Sequence, residues 1–219
     1  MTILRRAYAL ARWLVRLEIG IWRSLFLLAA RRVPGRGPGV RLFPYAKEVA
    51  PLLYAFIGVS ALELVVVHLI LPWETVRTIA LVISLWGLLW MIGYLASLKV
   101  FQHLVGPGEL RVRYGTAVDV RVPWEAVADV RLGRHRVPTG KAVHVLPADG
   151  ADGGVALHVS VLKRTRIELV LHGPTMLELP DGPQEVTAVR LDADDPKALV
   201  AAAREHLRDP SGREAAPIL

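Results

Sequence analysis

The sequence predicts an α+β membrane protein. Two long apolar segments, residues 49–71 and 77–98, stand a few residues apart. An arginine-striped amphipathic segment precedes them, and the hydrophobic period changes to two after residue 108. The expected organisation is a basic interfacial helix with a Gly/Pro turn (1–48), a transmembrane helical hairpin (49–99), a β domain (108–208) and a disordered tail (209–219).

Residues 49–71 read VAPLLYAFIGVSALELVVVHLIL, with Glu63 and His68 as their ionisable groups, and residues 78–98 carry no charge. About 20 apolar residues cross roughly 30 Å of hydrocarbon, so both segments qualify as spans. The short link around Pro72-Trp73-Glu74-Thr75 forces an antiparallel hairpin. A carboxylate at mid-span costs about 2.5–3.5 kcal/mol on insertion scales. Glu63 and His68 therefore mark an intramembrane polar site, or else Glu63 is a protonated group bonded to another helix or subunit, with His68 near the outer interface. They lie about 140° apart on a helix and do not share a face.

Charge sets the orientation. The first 47 residues hold ten basic residues and one acid, whereas the remaining 172 hold 17 basic and 19 acidic. A basic excess confined to the approach to a span points to anionic lipid and a cytoplasmic N-terminus rather than to nucleic acid. The short hairpin then puts the C-terminus on the same side, at the inner (plasma) membrane.

Arg5, Arg12, Arg16 and Arg23 fall within about 40° of one another on a helical wheel, opposite Leu10, Leu14, Leu17, Ile21, Leu25 and Leu28. With Trp13 and Trp22 as anchors, this pattern fits a helix lying in the headgroup plane. Packing of the same helix on the protein's own spans or β domain is the alternative. The stretch from Val33 to Gly39, VPGRGPG, ends it.

Beyond Gly108, alternation predicts seven strands at 109–114, 117–122, 127–132, 142–146, 155–161, 166–171 and 186–191, then a helix over about 195–208 capped by Asp194 or Asp195. The paired first strands, the segment VPWEAV at 122–127 and the ending VRLDADDPKAL at 189–199 together resemble a pleckstrin-homology-like domain. The chain also resembles bacterial membrane proteins that place such a domain after a two-helix hairpin. That resemblance implies a seven-stranded antiparallel sandwich or barrel closed by a C-terminal helix; a different small barrel or sandwich is the alternative. Relatives that hold phosphoinositides use basic residues on the first two strands and a long basic loop between them. Here Arg111 and Arg113 lie on the first strand, but the Gly115-Thr116 loop is short and carries no cation.

With no cysteine, disulfides, thiolate metal sites and cysteine nucleophiles are excluded. Neither Gly106-Pro107-Gly108 nor Gly133-Arg134-His135-Arg136 is followed by the Gly-Lys-Ser/Thr of a phosphate loop. His144, His158 and His172 fall on different expected strands, without the spacing of a zinc motif. Two cationic clusters, Arg131, Arg134, Arg136 and Lys141, and Lys163, Arg164 and Arg166, lack the interleaved aromatics of a nucleic-acid surface. Arg134, Arg136, Lys163 and Arg164 are the candidate patch for headgroups or a partner. The expectation is a non-enzymatic, cofactor-free anchored protein whose β domain binds anionic lipid headgroups or a protein, with homo-oligomers through the hairpin and no nucleic acid. An oligomeric transporter subunit using Glu63, or a membrane enzyme with a histidine metal site, are the alternatives.

Overall fold

A computed structural model describes residues 2–137, 142–148, 154–180 and 182–208, with side chains from Arg12 onward except at positions 13 and 14. The expected disordered tail at 209–219 and the cation Lys141 lie outside the described residues.

Helix α1 (Thr2–Ala29) ends where Arg31 turns into the left-handed region (φ 52°), with the Arg32 amide bonded back to the Leu27 carbonyl. A short strand, β1 (Arg41–Phe43), leads to two helices, α2 (Ala50–Ile70) and α3 (Glu74–Val100). Pro51 sits in the first turn of α2, where its missing N–H costs nothing. Pro72 stops that helix, and two residues later Glu74 occupies the first turn of α3, against the positive end of its dipole. Both helices are long and apolar enough to cross a membrane. Their outward side chains, such as Leu62, Ile79 and Val82, are exposed.

α1 packs along α3. A Cβ on Gly93 would stand 2.3 Å from Ile21 Cγ2, and one on Gly20 would stand 2.7 Å from Thr116 Oγ1, so at both points a side chain packs against bare glycine backbone. Ile21 and Ser24 are buried, and Trp22 meets Trp86 edge-on with centroids 5.7 Å apart. Part of the leucine-side stripe therefore faces protein, as in the alternative considered from sequence.

The β domain departs from the expected seven-stranded antiparallel sandwich. Among the described residues there are nine strands in two sheets. The four-stranded sheet runs β1–β2–β3–β4, with β2 (His103–Val105), β3 (Glu109–Tyr114) and β4 (Val118–Pro123). The five-stranded sheet comprises β5 (Val127–Arg136), β6 (Val143–Pro147), β7 (Val155–Val159), β8 (Arg164–Leu179) and β9 (Gly182–Leu191), in the order β5–β8–β9–β7–β6. β7 pairs with β9 in parallel, because β8 runs out and back with β9 and β7 then joins the far edge. β1 and β2 are three residues each, too short for a visible alternation. They pair across the whole helical hairpin, Arg41 opposite Val105. β8 continues through Gly173-Pro174 by an irregularity in its register with β9 between Val170 and Thr175.

The core lies between the sheets. Val112 and Val120 face Leu157, Ile167, Leu169, Val189 and Leu191, all fully buried. Residues Trp124–Ala126 form a single 3₁₀ turn that buries Trp124, whose Nε1 donates to the Gly106 carbonyl (2.8 Å). Helix α4 (Pro196–Arg208) is capped by Asp195, which accepts from the Ala198 amide (3.0 Å), and it closes the core with Leu199 and Ala203.

Gly93→Ala forces Ile21 away from α3, and overpacking of this kind costs about 1–3 kcal/mol. The expected outcome is a lower thermal midpoint in detergent for Gly93→Ala. Gly58→Ala and Gly87→Ala, where a Cβ meets nothing within 4 Å, leave it unchanged or raise it.

Candidate functional site

Four residues between β1 and α2, Pro44, Tyr45, Lys47 and Glu48, tie the helices to the β domain. The Pro44 carbonyl accepts from the Asp194 amide (2.8 Å), and the Lys47 amide donates to Asp194 Oδ1 (2.9 Å). The buried Tyr45 hydroxyl accepts from the Gly115 amide (2.7 Å) while its ring stacks on Tyr114 and leans on His103. Glu48 pairs with Arg164 and with Arg166 (3.5 Å). Arg166 also donates to Asp192 Oδ1 (2.6 Å) and to the Ala193 carbonyl (2.8 Å). Burial pushes the Asp192 carboxyl above its ordinary range against the opposing pull of Arg166 and Arg164.

His103 lies at the centre of this junction and is fully enclosed. Its Nδ1 accepts the Arg113 amide (3.0 Å), so Nε2 carries the proton and faces the Asp192 carbonyl (2.8 Å). Burial lowers its pKa from 6.5 to about 4, with the nearby Arg113 charge acting in the same direction.

Beside the junction an open groove of about 470 Å³ is lined by Leu132, Gly133, Arg134, Arg166, Asp195, Pro196 and Lys197. Asp195 is engaged as the α4 cap and Arg166 is held by Asp192 and Glu48. Arg134 and Lys197 supply the remaining positive charge of the lining. The groove thus suits an anionic group, with Leu132, half exposed, as its apolar wall.

The structure distributes the sequence-derived candidates unevenly. Arg134 lines the groove with Arg166, so one residue of each cationic cluster meets there. Arg136 is the cross-strand partner of Arg164, while Lys163 lies on a separate cleft with Val49 and Tyr114. Arg111 and Arg113 both pair with Asp119, and Arg113 also donates to the Pro34 carbonyl (2.8 Å). Arg12 is exposed; Arg16 and Arg23 line a cleft with Thr116 and Asp119. Trp22 donates to Glu18 (2.8 Å). The side chains of Arg5 and Trp13 lie outside the described residues. Glu63 and His68 face outward from α2, apart from the groove. Glu48, Asp192 and Lys197 escaped sequence reasoning, since nothing local distinguishes them from solvated charges.

His144 and His158 are cross-strand neighbours in a polar row that crosses the five-stranded sheet through Arg190, Glu168 and Arg131. Burial acts to raise the Glu168 carboxyl, but hydrogen bonds from Arg131 (2.7 Å) and Arg190 (2.8 Å) outweigh it and lower the pKa. His172 is exposed and outside the row. Among the described residues no group of three or more His, Asp or Glu side chains is placed to hold a metal.

Compared with known family models, curated proteins and solved structures, the chain matches none.

His103 titrates lower folded than unfolded, so its contribution to stability is present above pH 6.5 and is lost as pH falls toward 4. A displacement of that size is worth about 3 kcal/mol. His103→Gln is therefore expected to be less stable at pH 7 but to lose less of its thermal midpoint between pH 7 and 4.5 than the parent chain. Equal losses in a melting series across that range would contradict the assignment.

Proposed function

We propose that this chain is a non-enzymatic, membrane-anchored protein. In this reading α2 and α3 cross the inner membrane as a hairpin, and a pleckstrin-homology-like β domain lies on the cytoplasmic side with both termini. The groove beside α4 receives anionic lipid headgroups. The observation that carries the reading is the junction. Tyr45, Glu48 and His103 hold the domain at the foot of α2, and Arg166, which Glu48 contacts, also lines the groove. A cationic groove beside the foot of a membrane helix is placed for phosphate-bearing lipids without any long flexible arm.

The basic excess of the first 47 residues supports the orientation. The element order supports the domain assignment in a modified form, with two sheets and a closing C-terminal helix. The outward Glu63 favours association of copies through the hairpin. Among the described residues it forms no hydrogen bond or ion pair, and a carboxyl facing hydrocarbon is stabilised by a polar partner on another subunit.

A basic residue near an anionic surface contributes about 1 kcal/mol, so reversing Arg134 and Lys197 together removes at least about 2 kcal/mol, roughly thirtyfold in affinity. The test uses native mass spectrometry of the detergent-solubilised chain with equimolar phosphatidylglycerol and phosphatidylcholine. The parent chain is expected to retain phosphatidylglycerol preferentially, and Arg134→Glu combined with Lys197→Glu to lose that excess. Equal retention by both would remove the groove from lipid binding.

A further inference from the structure

The connection from β7 to β8, residues 160–163, ends in a two-residue turn between Val161 and Arg164, which form an isolated bridge. The Arg164 amide bonds to the Val161 carbonyl (3.3 Å), and both central residues are left-handed, Leu162 at φ 51° and Lys163 at φ 63°. A turn of this type favours Asn and Gly, because a side chain with a Cβ is strained in that region. Leucine and lysine are among the less suitable occupants. The one other described non-glycine residue with positive φ is Arg31, at the end of α1.

The Lys163 carbonyl accepts from the Val137 amide (2.9 Å) just past the end of β5, while both side chains of the turn are exposed. Leu162 is 50% exposed at the tip. Its neighbour Val161 is buried with Tyr45, Ala46 and Leu98, and Val49, Leu53 and Tyr94 pack around them. The tip is thereby held at the level of the first turn of α2 and the last turn of α3. A cleft of about 290 Å³ behind it reaches Val49 and Tyr114. On α2 itself Leu52 and Tyr54 are exposed. An apolar tip beside a long cationic side chain, next to the end of a candidate span, matches the chemistry of the bilayer interface. There a leucine leaves water while a lysine reaches back to the phosphates.

We propose that Leu162-Lys163 is a membrane-docking turn, with Leu162 entering the acyl boundary of the bilayer and Lys163 meeting the headgroups. The proposal rests on the reading of α2 and α3 as spans. It assigns the lipid surface a second contact, distinct from the groove, that sets how closely the domain lies against the bilayer.

The chain contains no cysteine, so a single introduced thiol takes a fluorophore uniquely. Leu162→Cys, Leu62→Cys and Met176→Cys, each carrying an environment-sensitive label in the full chain, are reconstituted into vesicles of phosphatidylcholine and phosphatidylglycerol. Leu62 is exposed in the middle of α2, and Met176 is exposed on the distal half of β8. Nitroxide lipids labelled near the headgroup are expected to quench most of the emission at position 162. Those labelled deep in the chain should quench position 62, and neither should quench position 176. Quenching at 62 with position 162 behaving like 176 would overturn the docking turn and leave the spans standing. Absence of quenching at 62 would overturn the spans and the turn with them.

Discussion

Between β1 and α2 the chain has to leave a β-sheet and begin a long apolar helix within six residues, and the contacts made there govern the rest of the fold. Pro44 and Lys47 engage Asp194, and Tyr45 reaches the β3–β4 turn. Glu48 meets Arg164 and Arg166 of β8. From the other side α3 delivers His103 directly into the same place, where it bridges β3 and the end of β9. Two crossings between helix and sheet therefore share one set of partners. Because β1 and β2 pair with each other, the helical hairpin leaves the domain as a closed loop rather than as a tether. The domain has little freedom to swing.

That constraint also explains the position of α1. Its Arg16 and Arg23 look toward the Gly115–Thr116 turn and Asp119, while Ile21 meets the bare backbone of Gly93. An amphipathic helix ordinarily presents its apolar face to one medium. This one divides its surface three ways. Ile21 and Ser24 face protein, and part of the cationic stripe faces the β domain. Val15, Ile19 and Phe26 are exposed at spacings that repeat on one side. Trp22 joins that exposed strip to Trp86 on α3. Under the proposed insertion, the lipid-facing side of α1 is this strip and not the leucine stripe marked by periodicity.

What was legible in the sequence depended on how local its cause was. Length and hydropathy over about 20 residues mark α2 and α3, because crossing distance is a property of the segment itself. Alternation marks β3 and β4, and Asp195-Pro196 marks the start of α4. Three-residue strands such as β1 and β2 carry no periodic signal, and their pairing spans 60 residues. Gly173-Pro174 reads as a break, yet β8 absorbs it by a register shift against β9. The parallel β7–β9 pair follows from topology rather than from either strand. The same distinction applies to the groove. Arg134 was visible as a cation near a loop, but its meeting with Arg166 and Lys197 required β5, β8 and α4 to be folded together.

The two polar constellations of the five-stranded sheet also differ in their availability. In the row through Glu168 and Arg190, each carboxylate oxygen already has a guanidinium within 2.8 Å, and both residues are buried. Inserting a ligand there would first have to break charge-assisted bonds in a low-dielectric setting, so the row is best understood as cohesion between strands. In the groove Asp195 caps α4, and Arg166 is held by Asp192 and Glu48 from outside its lining. Arg134 and Lys197 remain at its open wall. Charge that is structurally committed on one side and available on the other makes the groove, rather than the histidine-bearing row, the place where an outside anion gains most.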